Sequence, residues 1–155
     1  MTASLYLREL DFHQAPWPLL LLADPSREQV LSYLPQSRLL AMLDGERAVG
    51  VVVVTPGDNG EAEITNLAVD EAWQGRGLGR RLLESAIERA RDGGLRRLCI
   101  ATGNSSLAQL GLYQRLGFRI VGVEPDHFLR HYPEPIFENG IQCRDQIRLA
   151  IELNP

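Results

Sequence analysis

The sequence predicts one α/β domain of the α+β type over residues 1–155, with a single mixed sheet of about seven strands and about four flanking helices. Three observations carry this reading. The chain has 155 residues, and a domain typically takes roughly 150. The hydrophobic pattern switches along the chain between β-branched or alternating runs and one long run at helical spacing. Helices separate the strands only in part, in the order β, αα, βββ, α, β, α, ββ, so antiparallel neighbours must accompany parallel ones.

The elements follow in turn. Residues 5–9, Leu-Tyr-Leu-Arg-Glu, open the sheet. Residues 17–34 read as helix, interrupted at Ala23-Asp24-Pro25. Asp24 or Ser26 caps the second piece, and Glu28 in its first turn suits the helix dipole. Residues 38–43 and 48–55 are strands joined at Asp44-Gly45, a strong hairpin dipeptide. The valine run from Val51 to Val54 marks the second of them as covered on both faces. A turn at 56–60 leads into a third strand, 61–69, which completes an antiparallel meander. Leu78, Leu82, Leu83, Ala86, Ile87 and Ala90 then recur at helical spacing up to the stop at Gly93-Gly94. Residues 98–102 form a short buried strand. Leu107, Leu110, Tyr113 and Leu116 form a short helix that Gly117 ends. Residues 118–123 and 146–153 are the last two strands. The segment between them, 124–145, carries no expected element and is longer than a plain connection, which favours a functional role.

Composition narrows the chemistry. Apolar residues at 45% and charged residues at 23% describe an ordinary soluble globule. All sixteen basic side chains are Arg and none is Lys. That excludes a Walker A loop, a Schiff-base lysine and a kinase lysine by their usual mechanisms. A net charge of −4 gives no reason to expect nucleic acid as a partner. No membrane partner is expected either: the apolar run 18–23 is far short of a span, and the opening decapeptide lacks a basic leader region. Seven Arg lie between Arg76 and Arg97, interleaved with Glu84, Glu88 and Asp92, as on a solvated helix face. Cys99 and Cys143 form no CxxC pair, so a reduced, cytoplasmic location is expected. His127 and His131 have metal-pair spacing, but the Glu of H-E-x-x-H is missing and no cysteine stands nearby, so no metal is expected.

The strongest local signal runs from Val69 to Leu83. A strand enters three alternating glycines, Gly75, Gly77 and Gly79, which open an amphipathic helix. Glycine permits positive φ and close backbone approach. Unpaired N–H groups at a helix start, with the dipole, favour a phosphate, and Arg76, Arg80 and Arg81 add charge. The spacing G-x-G-x-G and the preceding meander differ from the dinucleotide fingerprint G-x-G-x-x-G in a βαβ unit.

The run Gln74-x-x-Gly77-x-Gly79 resembles the [QR]-x-x-G-x-[GA] motif of the GNAT superfamily of N-acetyltransferases. Asn66-Leu67-Ala68-Val69-Asp70 is similar to that family's fourth strand, and Leu112-Tyr113-Gln114-Arg115-Leu116-Gly117-Phe118 resembles its LY-x-x-x-GF signature. The resemblance implies a mostly antiparallel, splayed sheet and acetyl-CoA as co-substrate. Backbone amides of the loop Gln74, Gly75, Arg76, Gly77, Leu78, Gly79 and Arg80 would hold its pyrophosphate. Leu67, Ala68 and Val69 would pair with the pantetheine arm as with an added strand. The Val69 amide would face the thioester oxygen, and Tyr113 would act as general acid towards the leaving thiolate. Ala62-Glu63-Ile64 is similar to the strand that carries a base in some members, which implies Glu63 as base if burial raises its pKa; a water relay is the other arrangement known in the family. Where the family often has an Asn touching pantetheine, this chain has Ser106, with Asn104 two residues earlier, and either supplies that contact.

The resemblance further implies an acceptor pocket between residues 17–34 and 124–145. Asp126, His127, His131, Tyr132, Glu134, Phe137, Glu138 and Asn139 combine carboxylates with rings, which suits a cationic amine. The tail H-Y-x-E-P-I-F-E-N-G-I-x-C is similar to that of a subgroup of small bacterial members. The expected activity is acetyl transfer from acetyl-CoA to a primary amine, a small molecule or a protein N-terminus or lysine, by direct transfer in a ternary complex. The chain would act as a monomer or homodimer. The alternative is an acyl-CoA-binding sensor on the same fold that transfers nothing.

Overall fold

The valine run of residues 51–54 organises the molecule. In β3 (Arg47–Pro56) the alternating side chains of Val51 and Val53 enter one apolar cluster and that of Val52 enters another, all fully buried. Burying a valine side chain contributes about 1.5–3 kcal/mol, so both sheet faces need covers. α1 (Trp17–Ala23) and α2 (Arg27–Tyr33) supply one through Leu19, Leu20 and Val30. α3 (Leu78–Asp92) supplies the other through Leu78, Leu82, Leu83, Ala86, Ile87 and Ala90, helped by α4 (Leu107–Arg115). The computed structural model describes residues 4–154; residues 1–3, where the expected leader-free start begins, and residue 155 lie outside it.

β1 (Leu5–Leu10), β2 (Arg38–Asp44), β3 and β4 (Glu61–Val69) pair antiparallel in sequence. β5 (Arg97–Gly103) joins β4 in parallel, then β9 (Gln146–Glu152) and β6 (Arg119–Glu124) complete the order β1-β2-β3-β4-β5-β9-β6. The expected mixed, mostly antiparallel seven-stranded sheet is the one observed. Local signals act as read. Ser26 caps α2 by accepting from Gln29 N–H at 3.1 Å. α3 ends in a Schellman arrangement: Gly94 takes φ 81°, its N–H reaches Arg91 O, and Leu95 N–H reaches Ala90 O.

The segment 124–145 departs from expectation. It holds a fifth helix, α5 (His127–His131), and a small hairpin of β7 (Phe137–Glu138) and β8 (Ile141–Gln142). Elements of five and two residues are too short to leave a periodic pattern. No helix among the described residues is long and apolar enough to cross a membrane.

One irregularity positions the site. β4 and β5 pair only from Glu61↔Arg97 to Ile64↔Ile100. At Thr65 the register of β4 against β3 shifts, from Ile64↔Val54 to Asn66↔Val53. Beyond that point β4 stays with β3 as far as Val69, while β5 stays with β9 as far as Gly103. The sheet therefore opens into a wedge.

Gly103, at the open end of β5, lies against residues from the 124–145 segment. A Cβ there would collide with the Cys143 sulfur and stand 3.4 Å from the Phe128 ring. Gly103→Ala is expected to destabilise the fold by about 1–3 kcal/mol, measured as the urea midpoint, and Cys143→Ala in the same chain to restore part of the loss.

Candidate active site

The wedge leads into a cleft of about 520 Å³ lined by Leu67, Ala68 and Val69 of β4, Gln74, Gly75, Gly77, Leu78 and Gly79 of the glycine loop, and Leu112 and Tyr113 of α4. Leu22 and Ala23 at the end of α1 close its other side. A second cavity, of about 340 Å³, lies between the far end of α3 and β2, with Arg38, Leu40 and Arg89 in its wall. Its one carboxylate, Glu9, stands 4.0 Å from Arg38.

Strand alternation decides which backbone groups the cleft offers. Asp70 N–H donates to Val49 O, towards β3, at 2.8 Å. Two-residue alternation puts the polar groups of Ala68 and Asn66 on that same side. Those of Leu67 and Val69 therefore face the wedge. Val69 O accepts from the Gln74 side chain at 3.1 Å. This leaves the Leu67 N–H and C=O and the Val69 N–H for a ligand. Of the three residues expected to pair with an added strand, Ala68 offers none of its backbone groups, because β3 holds them.

The glycine loop continues this edge. Gly75 and Gly77 take φ 77° and 79°, and Gly77 is the residue from which α3 starts. A Cβ at either position would meet nothing within 4 Å, so their surroundings are open space. The first backbone N–H to find a partner in α3 is that of Arg81, bonded to Gly77 O at 3.1 Å. The preceding amides are the unpaired group expected at a helix start, with the dipole behind them. Arg76 and Arg80 stand outside the lining. Arg76 lies 4.7 Å over the Trp73 ring, and Arg80 pairs with Glu84 at 3.7 Å. The anion-binding capacity of this loop thus rests on backbone dipoles.

Tyr113 faces the loop from α4. Its ring is buried and tilts against Phe118 at 6.2 Å. Its hydroxyl makes no hydrogen bond among the described residues and borders the cleft. Burial pushes its pKa up to about 12.

Three other expected residues are placed differently. Glu63 alternates with Ala62 and Ile64, which pack towards α3, so it projects from the opposite face, where it is exposed. The burial expected of it is missing. Asn104 is committed elsewhere: Oδ1 accepts from Arg144 N–H and Asp145 N–H at 2.8 and 2.9 Å, and Nδ2 donates to Gln142 O at 3.1 Å. Ser106 donates to Glu138 at 3.0 Å. Neither Asn104 nor Ser106 lines the cleft. Together they clasp the 124–145 segment to the turn after β5.

The same clasp occupies several expected acceptor groups. Glu138 accepts from Ser105 and Ser106, Asn139 donates to Ser105 O, and Asp126 pairs with Arg144 at 3.5 Å. His127 contacts Glu124 and stacks near His131. Glu134 and Phe137 are exposed, and Tyr132 stacks on Phe128 at 5.7 Å. Asp24, within the expected 17–34 wall, follows cleft-lining Leu22 and Ala23. It accepts from the Tyr33 hydroxyl at 3.5 Å and has no cationic partner among the described residues. The Tyr33 hydroxyl in turn accepts from Asn66 Nδ2 at 3.0 Å. Asn66 is buried, donates also to Leu20 O, and its Oδ1 has no partner. Burial raises the pKa of Tyr33 and, with the charge of Asp24 next, that of Tyr132. An Asn among the buried alternate positions of a strand was the available signal for this chain of contacts.

The model of the acetyltransferase (GNAT) family matches residues 3–118. An uncharacterized N-acetyltransferase of Bacillus subtilis (strain 168), YvbK, is 47% identical over 137 residues, which is 88% of each chain. The structure of an IAA acetyltransferase from Bacillus cereus ATCC 14579 superposes with a TM-score of 0.91 at 44% identity, covering 97% of this chain and 100% of that one. A GNAT family acetyltransferase from Elizabethkingia anophelis, solved with acetyl-CoA bound, gives 0.90 at 41% identity, over 96% and 98%. With a splayed sheet whose wedge runs into a glycine-rich helix start, and with these relatives, the chain belongs to the GNAT family of acetyltransferases and is an acyltransferase.

Proposed function

We propose that residues 1–155 act as one catalytic domain that moves the acetyl group of acetyl-CoA to a primary amine by direct attack in a ternary complex. The observation that carries this is the unpaired edge of β4: Leu67 N–H and C=O and Val69 N–H open into a cleft that runs from the glycine-loop amides to the Tyr113 hydroxyl. The Elizabethkingia relative, solved with acetyl-CoA, supports that ligand. Pantetheine adds to the edge as a short strand, the pyrophosphate meets the amides from Gly75 to Arg80, and the thioester oxygen meets Val69 N–H.

The amine nitrogen forms the new C–N bond, the C–S bond breaks, and the electron pair leaves on sulfur. Tyr113 then meets a developing thiolate. With its pKa near 12 and a thiol near 8.5, full proton transfer is uphill by about 5 kcal/mol. Tyr113 therefore serves as a hydrogen-bond donor to the sulfur, and solvent delivers the proton. The proton lost by the amine leaves through water, because exposed Glu63 lacks the surroundings of a base; Glu63→Gln should keep kcat within about threefold. Asp24, held by Tyr33 beside the cleft, attracts a cationic acceptor. Holding both substrates together contributes up to about 7–11 kcal/mol towards the barrier.

Acetyl-CoA with a panel of amines, read by release of free thiol, tests this reading. Turnover is expected with cationic amines, and Asp24→Asn should raise their KM about tenfold. Stabilisation by acetyl-CoA with no thiol release from any amine would make the protein a sensor instead. Gly77→Glu places bulk and negative charge at the pyrophosphate position and should weaken CoA binding at least a hundredfold by calorimetry. Tyr113→Phe should lower kcat by about 10–100-fold with the CoA Kd within about twofold; unchanged kcat removes the role of its hydroxyl. The raised Tyr113 pKa also sets a pH dependence. Folded-state stabilisation from the neutral phenol is fully present below pH 10 and lost as pH rises through 12, by about 2–3 kcal/mol. Tyr113→Phe should abolish that part of the decline in urea unfolding.

A further inference from the structure

The 124–145 segment holds a group of side chains that acyl transfer does not use. Glu124 ends β6, and His127 and His131 follow on α5 at i, i+4 spacing, one above the other on the helix. One carboxylate oxygen of Glu124 and one ring nitrogen of each histidine all lie within 4.8 Å of one another. His127 Nδ1 contacts Glu124 Oε2 directly, and the two imidazole rings are 4.5 Å apart between centroids. The expectation of no metal rested on the missing Glu of H-E-x-x-H and the lack of a nearby cysteine. The carboxylate comes instead from three residues upstream, at the strand end, in the pattern Glu-x-x-His-x-x-x-His.

We propose that Glu124, His127 and His131 form a binding site for a divalent transition-metal ion of the zinc class. Two imidazoles and one carboxylate are borderline ligands that suit Zn²⁺, Co²⁺ or Ni²⁺ over Ca²⁺ or Mg²⁺. Tetrahedral ligands about 2.0–2.1 Å from zinc stand about 3.3 Å apart. Glu124 and His127 are already in contact, so closure needs those two atoms to part slightly and the exposed His131 ring to turn towards them. The exposed side leaves a fourth position for water. Binding converts Glu124 from the hydrogen-bond partner of His127 into its co-ligand. Arg130 opposes the site: its Nη2 stands 3.7 Å from the same Glu124 oxygen, while its Nη1 is held by Pro125 O at 2.8 Å. The ion therefore has to displace one cationic neighbour, and removing that neighbour strengthens the site. A filled site would tie the end of β6 to α5, whose Phe128 packs beside Gly103.

Chelator-treated full-length protein titrated with Co²⁺ and Zn²⁺ tests the proposal. One equivalent of Co²⁺ should produce the visible absorption of a bound ion. Zn²⁺ at about a hundredfold excess over its Kd should raise Tm by about 5–10 °C, reversibly with chelator. Glu124→Ala and His127→Ala/His131→Ala should lose both effects while keeping the metal-free urea midpoint near that of the parent. Arg130→Gln should bind several-fold more tightly. Either absence of stoichiometric Co²⁺ binding in the parent or undiminished binding in the double histidine variant overturns the proposal. The first outcome would leave the trio as a hydrogen-bonded helix start, and the second would move the ion to other residues.

Discussion

Parallel pairing between β4 and β5 stops after Ile64 and Ile100, and the proposed chemistry of the molecule depends on that stop. A buried backbone N–H or C=O without a partner is costly, so a sheet that splits must either cover the edge or leave it for a ligand. Here the register shift at Thr65 turns β4 away, β3 retains Ala68 and Asn66, and the groups of Leu67 and Val69 face a cleft. The cleft opens where β4 leaves β5, while each strand stays paired on its other side, β4 with β3 and β5 with β9. Catalytic geometry is in this sense a by-product of backbone accounting.

The charge arrangement follows the same logic. An arginine-only chain with seven guanidinium groups between Arg76 and Arg97 looks made for phosphate, yet Arg76 rests on Trp73 and Arg80 pairs with Glu84. The dipoles of a helix start and two glycines at positive φ remain as the anion site. Fixed dipoles need no side-chain ordering when ligand arrives, whereas a flexible guanidinium would lose rotamer freedom. Next to the cleft-lining end of α1, Asp24 accepts from the Tyr33 hydroxyl, which accepts from Asn66. Glu138 and Asp126 hold the protein's own 124–145 segment.

Much of this was legible in the sequence because it is written locally. The valine run, the Asp44-Gly45 turn, the Gly93-Gly94 stop and the three alternating glycines each act within a few residues of themselves. The burial of Tyr113 follows from helical spacing. What was not legible joins distant parts of the chain. Asn104 and Ser106 carry the right polar groups for a cofactor, but residues 138 to 145 reach them first. Glu63 sits where the strand pattern puts it, and only the packing of both faces tells that it is exposed. Glu124 is a different case: it lies only three residues from His127, but a five-residue helix is too short to leave a periodic pattern that would place the three side chains together.

The Asn104 clasp has a consequence for the order in which the molecule assembles. Its three hydrogen bonds span 38 to 41 residues, and they require β5 and β9 to be paired first, across about the same separation. Contacts of that range carry a loop-closure cost that local contacts avoid. The meander and the glycine loop need no such closure. The 124–145 segment is thus the late-forming part of the fold, and the part with least to hold it when conditions turn unfavourable. Under mild heat or denaturant the 124–145 segment is set to come away from the turn after β5 before the meander and the glycine loop lose their shape.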